Sequence, residues 1–201
     1  HCISQWGYDF RPAYLTIAGI RKQKPLVPVL ALTASATAEV RQDIVDKLLL
    51  KDPSVFRQSF ERPNLSYSIF NVESRAARLV EIIQKVPGTA IVYCKTRKKT
   101  KEFADLLNAH KINAACYHAG LKPEERKERE EKWIHNDIRV MVCTNAFGMG
   151  IDKPDVRLVV HTAPPDCLEN YYQEAGRAGR DGKKAYGVLL YHSTDLEEMD
   201  N

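Results

Sequence analysis

From residue 65 to residue 191, short apolar runs alternate with segments whose apolar residues recur at helical spacing, and nothing else in the chain constrains its fold as strongly. Leu65–Phe70 reads as a strand. Ser74 caps a predicted helix with Leu79, Ile82, Ile83 and Val86 on one face; Pro87-Gly88 ends it, and Thr89–Tyr93 is the next strand. Thr96 opens a second helix with Phe103, Leu106 and Leu107 inward. A strand over 112–117 follows, then a charged, solvated stretch over 122–132 with Pro123 where a first helical turn tolerates it. Strands over 138–143 and 156–161, a helix over 166–178 and a strand over 185–191 complete the series. Such alternation predicts an α/β fold, a parallel sheet with helices on both faces.

The first sixty residues do not continue the pattern. PVLALTAS at 28–35 reads as a buried strand, Thr37 as the N-cap of a helix bearing Val40, Ile44, Val45 and Leu48, and 55–60 as a second strand. Two strands and one long helix cannot cover a parallel sheet on both sides. Residues 1–60 therefore read as the C-terminal remnant of a first domain, 61–64 (Glu-Arg-Pro-Asn) as a linker and hinge candidate, and 65–201 as a second domain. No apolar run approaches the roughly 18 residues of a membrane span, and the N-terminus lacks a basic start before an apolar stretch, so neither membrane insertion nor secretion is expected. The five cysteines are odd in number, widely spaced and without C-x-x-C, as in an intracellular, reducing compartment. Cys116 and His118 are too few to close a zinc site, so no metal centre is expected. A net charge of +4 suits a polyanionic partner without requiring one.

The chemistry concentrates at residues 171–182, YYQEAGRAGRDG. Arg177 and Arg180, three apart among glycines at a predicted helix end, place two guanidiniums on nearly one face with little bulk around them. Arginine suits such an anion site because its planar fork grips phosphate oxygens bidentately. A solvated helix end, with the arginines near its negative pole, accounts for the same composition.

QEAGRAGRDG resembles motif VI of superfamily 2 helicases, and three further segments fall in the family's order. Thr33–Thr37 (TASAT) resembles motif III, Ile91–Arg97 (IVYCKTR) motif IV, and 142–154 (VCTNAFGMGIDKP) motif V. His1–Pro12 (HCISQWGYDFRP) is similar to the end of a DEAH-type box and the aromatic-rich loop of RecQ DNA helicases, with Tyr8 where that family usually has His. The resemblance spans nearly the whole chain. It implies a RecA-like second domain preceded by a partial first one, and ATP-dependent 3′–5′ DNA unwinding in DNA repair and recombination. Mg2+ and ATP would be gripped mainly by a preceding half. The implied partners are single-stranded and duplex DNA; the implied location is cytoplasm or nucleoid in a bacterium and nucleus in a eukaryote.

On the same resemblance, Arg180 is the arginine finger, Arg177 its companion phosphate sensor and Gln173 the link between nucleotide and nucleic-acid sites. His1 closes the acidic motif, and Asp152 and Gly150 belong to the nucleotide side of motif V. Thr33, Ser35 and Thr37 couple the domains. Trp6 and Phe10 would stack unpaired bases and Arg11 hold a phosphate. Lys95, Thr96, Arg97, His118 and Thr144 would line the path of the DNA strand, each just after a predicted strand where parallel sheets bind ligands.

The chain has no G-x-x-x-x-G-K-[ST]. Its one Gly-Lys pair, Gly182-Lys183, is followed by Lys184 and preceded at the required offset by Arg177. These residues alone are therefore expected not to hydrolyse ATP. The competing readings are an RNA-remodelling helicase, a nucleic-acid-binding module without nucleotide turnover, and a hydrolase built on Cys94 or Cys143.

Overall fold

The computed structural model describes residues 16–33, 36–57, 59, 61–148 and 151–195. The chain divides between residues 60 and 61 into two units. In the first, the described residues form two helices, α1 (Ala18–Gln23) and α2 (Ala38–Lys47). Thr37 caps α2 as its residue type predicts, accepting a hydrogen bond from the Val40 amide at 3.2 Å, and Ile44 is buried. Neither predicted strand forms over its described residues: 28–33, 55–57 and 59 have no regular structure, and Leu32 and Phe56 are 82% and 90% exposed. An apolar run becomes a strand only where neighbours complete its backbone hydrogen bonds, and the described part of this unit contains no other strand to do so.

The second unit is built around six parallel strands: β1 (Leu65–Asn71), β2 (Thr89–Tyr93), β3 (Ala114–Tyr117), β4 (Val140–Cys143), β5 (Val156–His161) and β6 (Ala185–Tyr191), in the order β1-β6-β5-β2-β4-β3. Between them run α3 (Arg75–Lys85), α4 (Arg97–Ala109), α5 (Pro123–Ile134) and α6 (Leu168–Ala175). Ser74 and Thr96 cap α3 and α4, accepting from the Ala77 and Lys99 amides at 3.3 Å each. Alternation along the strands splits the core in two. Ala90, Val92, Val140, Val142, Leu158 and Val160 meet α3 and α4 on one face, while Ile91, Tyr93, Met141, Cys143 and Val159 meet Trp133 of α5 on the other. This is the expected RecA-like α/β sheet with helices on both faces.

Two boundaries move. The predicted helix over 166–178 is α6, confined to 168–175, because the chain turns at Gly176 and enters the left-handed region at Gly179 (φ +64°). Residues 61–64 group with the second unit and are bonded into it, so they are not a free linker. No described helix is long and apolar enough to cross a membrane.

Candidate functional site

The loops at the carboxyl edge of the sheet carry the described residues that the sequence placed along the DNA strand. Lys95, Thr96 and Arg97 follow β2 and are exposed, His118 follows β3 and Thr144 follows β4. Arg97 begins α4, and its guanidinium reaches the turn after β3: a methyl group added to Gly120 would lie 3.0 Å from Arg97 Nη1 and 3.3 Å from His118 Nδ1. His118 Nδ1 is buried and has no hydrogen-bond partner among the described residues. A cation and an unspent imidazole nitrogen thus converge on a side-chain-free turn beside a helix start, an arrangement suited to a phosphate oxygen. Thr144 holds the next loop, accepting from the Ala146 amide at 3.4 Å through its hydroxyl and from Phe147 at 3.0 Å through its carbonyl.

That loop also receives both arginines of the 171–182 segment. Arg177 Nη1 donates to the Gly148 carbonyl, and its guanidinium packs so closely on Gly148 (φ +130°) that a side chain there would sit 2.5 Å from Cζ. Arg177 Nε is buried without a partner among the described residues. Arg180 Nη1 donates at 3.1 Å to both the Ile151 carbonyl and the Asp152 carboxylate, and 37% of its side chain is exposed. Gln173 is half-buried in α6. One short loop therefore carries Thr144 at its start and holds both guanidiniums further along.

Four residues that the sequence reading passed over lie beside it. His161, at the end of β5, is buried, stacks on Tyr93 with ring centroids 5.1 Å apart and bonds Glu174 through Nε2 at 2.8 Å. Their periodicity marks a strand end and a helix face, and nothing in it signals pairing. Arg62 and Asn64, expected in a linker, bond the backbone that carries Arg180. His1, Trp6, Tyr8, Phe10, Arg11, Ser35 and Gly150 lie outside the described residues, and Thr33 is exposed in an irregular segment.

The thiol hydrolase reading loses its nucleophile. Burial pushes the Cys94 thiol up to about 12, against weaker opposition from the Thr162 hydroxyl, and burial drives Cys143 well above the usual thiol range. At pH 8 both stay protonated and inert. In the folded chain, iodoacetamide should label exposed Cys167 within minutes and Cys94 and Cys143 only after denaturation, as read by peptide mass spectrometry. Rapid native labelling of Cys94 would contradict this environment.

The comparisons agree with the geometry. Residues 74–182 match the family described as helicase conserved C-terminal domain. The chain is 46% identical, over 98% of its length, to an Acanthamoeba polyphaga mimivirus protein whose name places it among ATP-dependent RNA helicases, covering 36% of that protein. It is 43% identical over 99% of its length to the RecQ-like DNA helicase BLM of Xenopus laevis, covering 15% of it, and 42% identical over 97% to the ATP-dependent DNA helicase RecQ of Pasteurella multocida, covering 31%. The chain thus spans about a third or less of these relatives. Among solved structures, Saccharomyces cerevisiae Dbp5 bound to RNA and ADP BeF3 has a TM-score of 0.71 at 20% identity, over 90% of this chain and 50% of that one. A DEAD box protein from Methanococcus jannaschii has 0.63 at 24%, over 82% and 46%. These two speak for the fold alone. With a loop after β4 that meets both arginines, and a family match that runs through all three, the chain belongs to the helicase conserved C-terminal domain family and is similar along nearly its whole length to RecQ helicases.

Proposed function

We propose that the chain forms the second RecA-like lobe of an ATP-dependent 3′–5′ DNA helicase of RecQ type. The observation that carries this reading is the convergence of Arg177 and Arg180 on the single loop that begins at Thr144. In that reading, Arg180 reaches a transferring phosphoryl group held by another lobe, where its fixed cationic fork stabilises developing charge without reorganisation. Arg177, with its buried unspent Nε, ties the same event to the loop of Thr144. Lys95, Thr96, Arg97, His118 and Thr144 hold the sugar-phosphate backbone of one strand, giving sequence-blind, salt-sensitive contact.

Bound ATP supplies the phosphoryl group whose transfer drives the lobes between two geometries. The described residues offer it cations: Arg180 and Arg177. Among the described residues no group of three His, Cys, Asp or Glu side chains is placed to hold a metal ion, and no step is assigned to Mg2+ on this lobe. The motor works inside the cell, in cytoplasm or nucleoid, or in the nucleus of a eukaryote.

The test joins a RecA-like segment bearing a P-loop ahead of residue 1 and measures unwinding of DNA duplexes with a 3′ or a 5′ tail. The 3′-tailed duplex should be opened with ATP and the 5′-tailed one left intact, while the 201 residues alone hydrolyse no ATP above background. Unwinding confined to RNA duplexes would favour the RNA-helicase reading that the mimivirus relative's name suggests. Robust turnover by the 201 residues alone would overturn the division of labour between lobes.

A further inference from the structure

The loop that carries Arg180 is held by two side chains from the segment that joins the chain's units. Arg62 donates from Nη1 to the Gly176 carbonyl at 3.2 Å and from Nη2 to the Ala178 and Gly179 carbonyls at 3.0 and 2.8 Å. Asn64 Nδ2 donates to Gly179 at 2.7 Å and to Lys183 at 2.8 Å, and the Asn64 carbonyl accepts from the Ala185 amide at 2.9 Å. The Gly179 amide donates to Val156 of β5 at 2.8 Å. Gly179, the residue before Arg180, is thus gripped on both its carbonyl and its amide.

The chemistry explains why these residue types occur here. Carbonyls past the end of α6 have no partners within the helix, and the helix terminus is negative. A guanidinium answers both conditions, offering several donors in one plane with a permanent positive charge. Asn64 fills the space a side chain at 179 would need: a Cβ there would lie 2.6 Å from Nδ2. Ala185 Cβ at 2.8 Å, the Lys183 carbonyl at 2.9 Å and the left-handed φ of +64° exclude a side chain at 179 as well, so glycine there leaves room for the Asn64 amide.

We propose that Arg62 and Asn64 are positioning residues for Arg180: they lock the 176–183 backbone so that the guanidinium is presented in one place, and they fasten the inter-unit segment to the catalytic loop. This rests on the reading of Arg180 as the finger. A merely structural clamp would affect folding; a positioning clamp affects turnover in the folded protein, because misplacing a catalytic group by about 1 Å can cost 10²-fold.

The measurement is DNA-stimulated ATP hydrolysis by the joined protein described above, for Arg62→Ala, Arg62→Lys, Asn64→Ala, Arg180→Ala and the Arg62→Ala/Arg180→Ala double variant. Arg62→Ala should lower kcat by about 10- to 100-fold with KM for ATP changed by less than about twofold. Arg62→Lys, which keeps charge but not the fork, guards against misfolding and should lose roughly three- to tenfold. Adding Arg62→Ala to Arg180→Ala should cost less than about threefold further, since both act through one guanidinium. A full additional penalty in the double variant, or wild-type kcat in Arg62→Ala beside a crippled Arg180→Ala, would overturn the proposal while sparing the finger reading. In parallel, hydrogen exchange on the 201 residues reads the clamp without catalysis. The amides of 179 and 182 should exchange at least about tenfold faster in Arg62→Ala, with β2 and β4 unchanged. Unchanged exchange at 179 overturns the clamp. A loss below tenfold in Arg180→Ala removes the catalytic role of Arg62 along with the finger, whatever exchange shows.

Discussion

Arg180→Ala lowers the DNA-stimulated ATPase of a joined, P-loop-bearing protein by about 10³-fold or more, the low end of what an arginine finger contributes. That corresponds to roughly 4 kcal/mol of transition-state stabilisation. Unfolding cannot mimic it. Arg180 bonds Ile151 and Asp152 at the surface, with the Asp152 side chain 84% exposed, and exposed pairs of this kind contribute about 0.2–1 kcal/mol. The variant should therefore melt close to the parent and bind single-stranded DNA normally. Arg180→Lys should recover little, because a point charge cannot reproduce a fork directed at phosphate oxygens. The decisive number is kcat under saturating ATP and DNA: a loss smaller than tenfold would discard the finger assignment.

That expectation draws on sequence and structure in unequal parts. Thr89–Tyr93 and Val156–His161 are strands in the structure to the residue, because central parallel strands are apolar on both faces and the first is delimited by Pro87-Gly88. The helices α3 and α4 were legible from caps that do form. The same apolar signal misled at 28–33 and 55–57, since hydropathy reports the wish to be buried and says nothing about whether a pairing strand is available. The shortening of α6 lay in glycines whose left-handed turn at 179 only the backbone reveals.

The site shows the same division. Spacing put Arg177 and Arg180 on one side, and both do meet one loop, but their partners on it, Gly148 and Ile151, each lie 29 residues earlier in the chain. Family resemblance linked those segments; periodicity could not. Arg62 and Asn64 carried no signal at all, because their partners lie 114 to 119 residues away and are backbone carbonyls, which every residue has. His161 and Glu174 were hidden for a related reason: each sits at an ordinary position of a strand or helix, and only the packing of α6 on β5 pairs them.

Trp133→Ala should destabilise the second unit by about 3–5 kcal/mol, the cost of deleting a large buried aromatic side chain. Helix α5 is mostly charged and Trp133 is its one buried residue, so the helix is held to the sheet largely through this ring. Its Nε1 donates to the Ala90 carbonyl of β2 at 3.2 Å, and Lys153 Nζ lies 5.6 Å from the ring centroid. The ring also meets Phe147 edge-on at 5.3 Å, and Phe147 in turn meets Tyr117 at 4.7 Å. Phe147 precedes Gly148, whose carbonyl holds Arg177, so the cavity opens directly beneath the loop that gathers both arginines. Urea denaturation followed by circular dichroism should show a lower midpoint at unchanged slope. Trp133→Phe keeps most of the packing and loses the donated hydrogen bond, and should cost about 1–2 kcal/mol. If Trp133→Ala cost less than about 1 kcal/mol, α5 would be held to the sheet mainly by Arg129, whose Nη1 donates to the Cys116 carbonyl at 2.6 Å, since its ion pairs Lys127–Glu131 and Lys132–Glu128 lie within the helix.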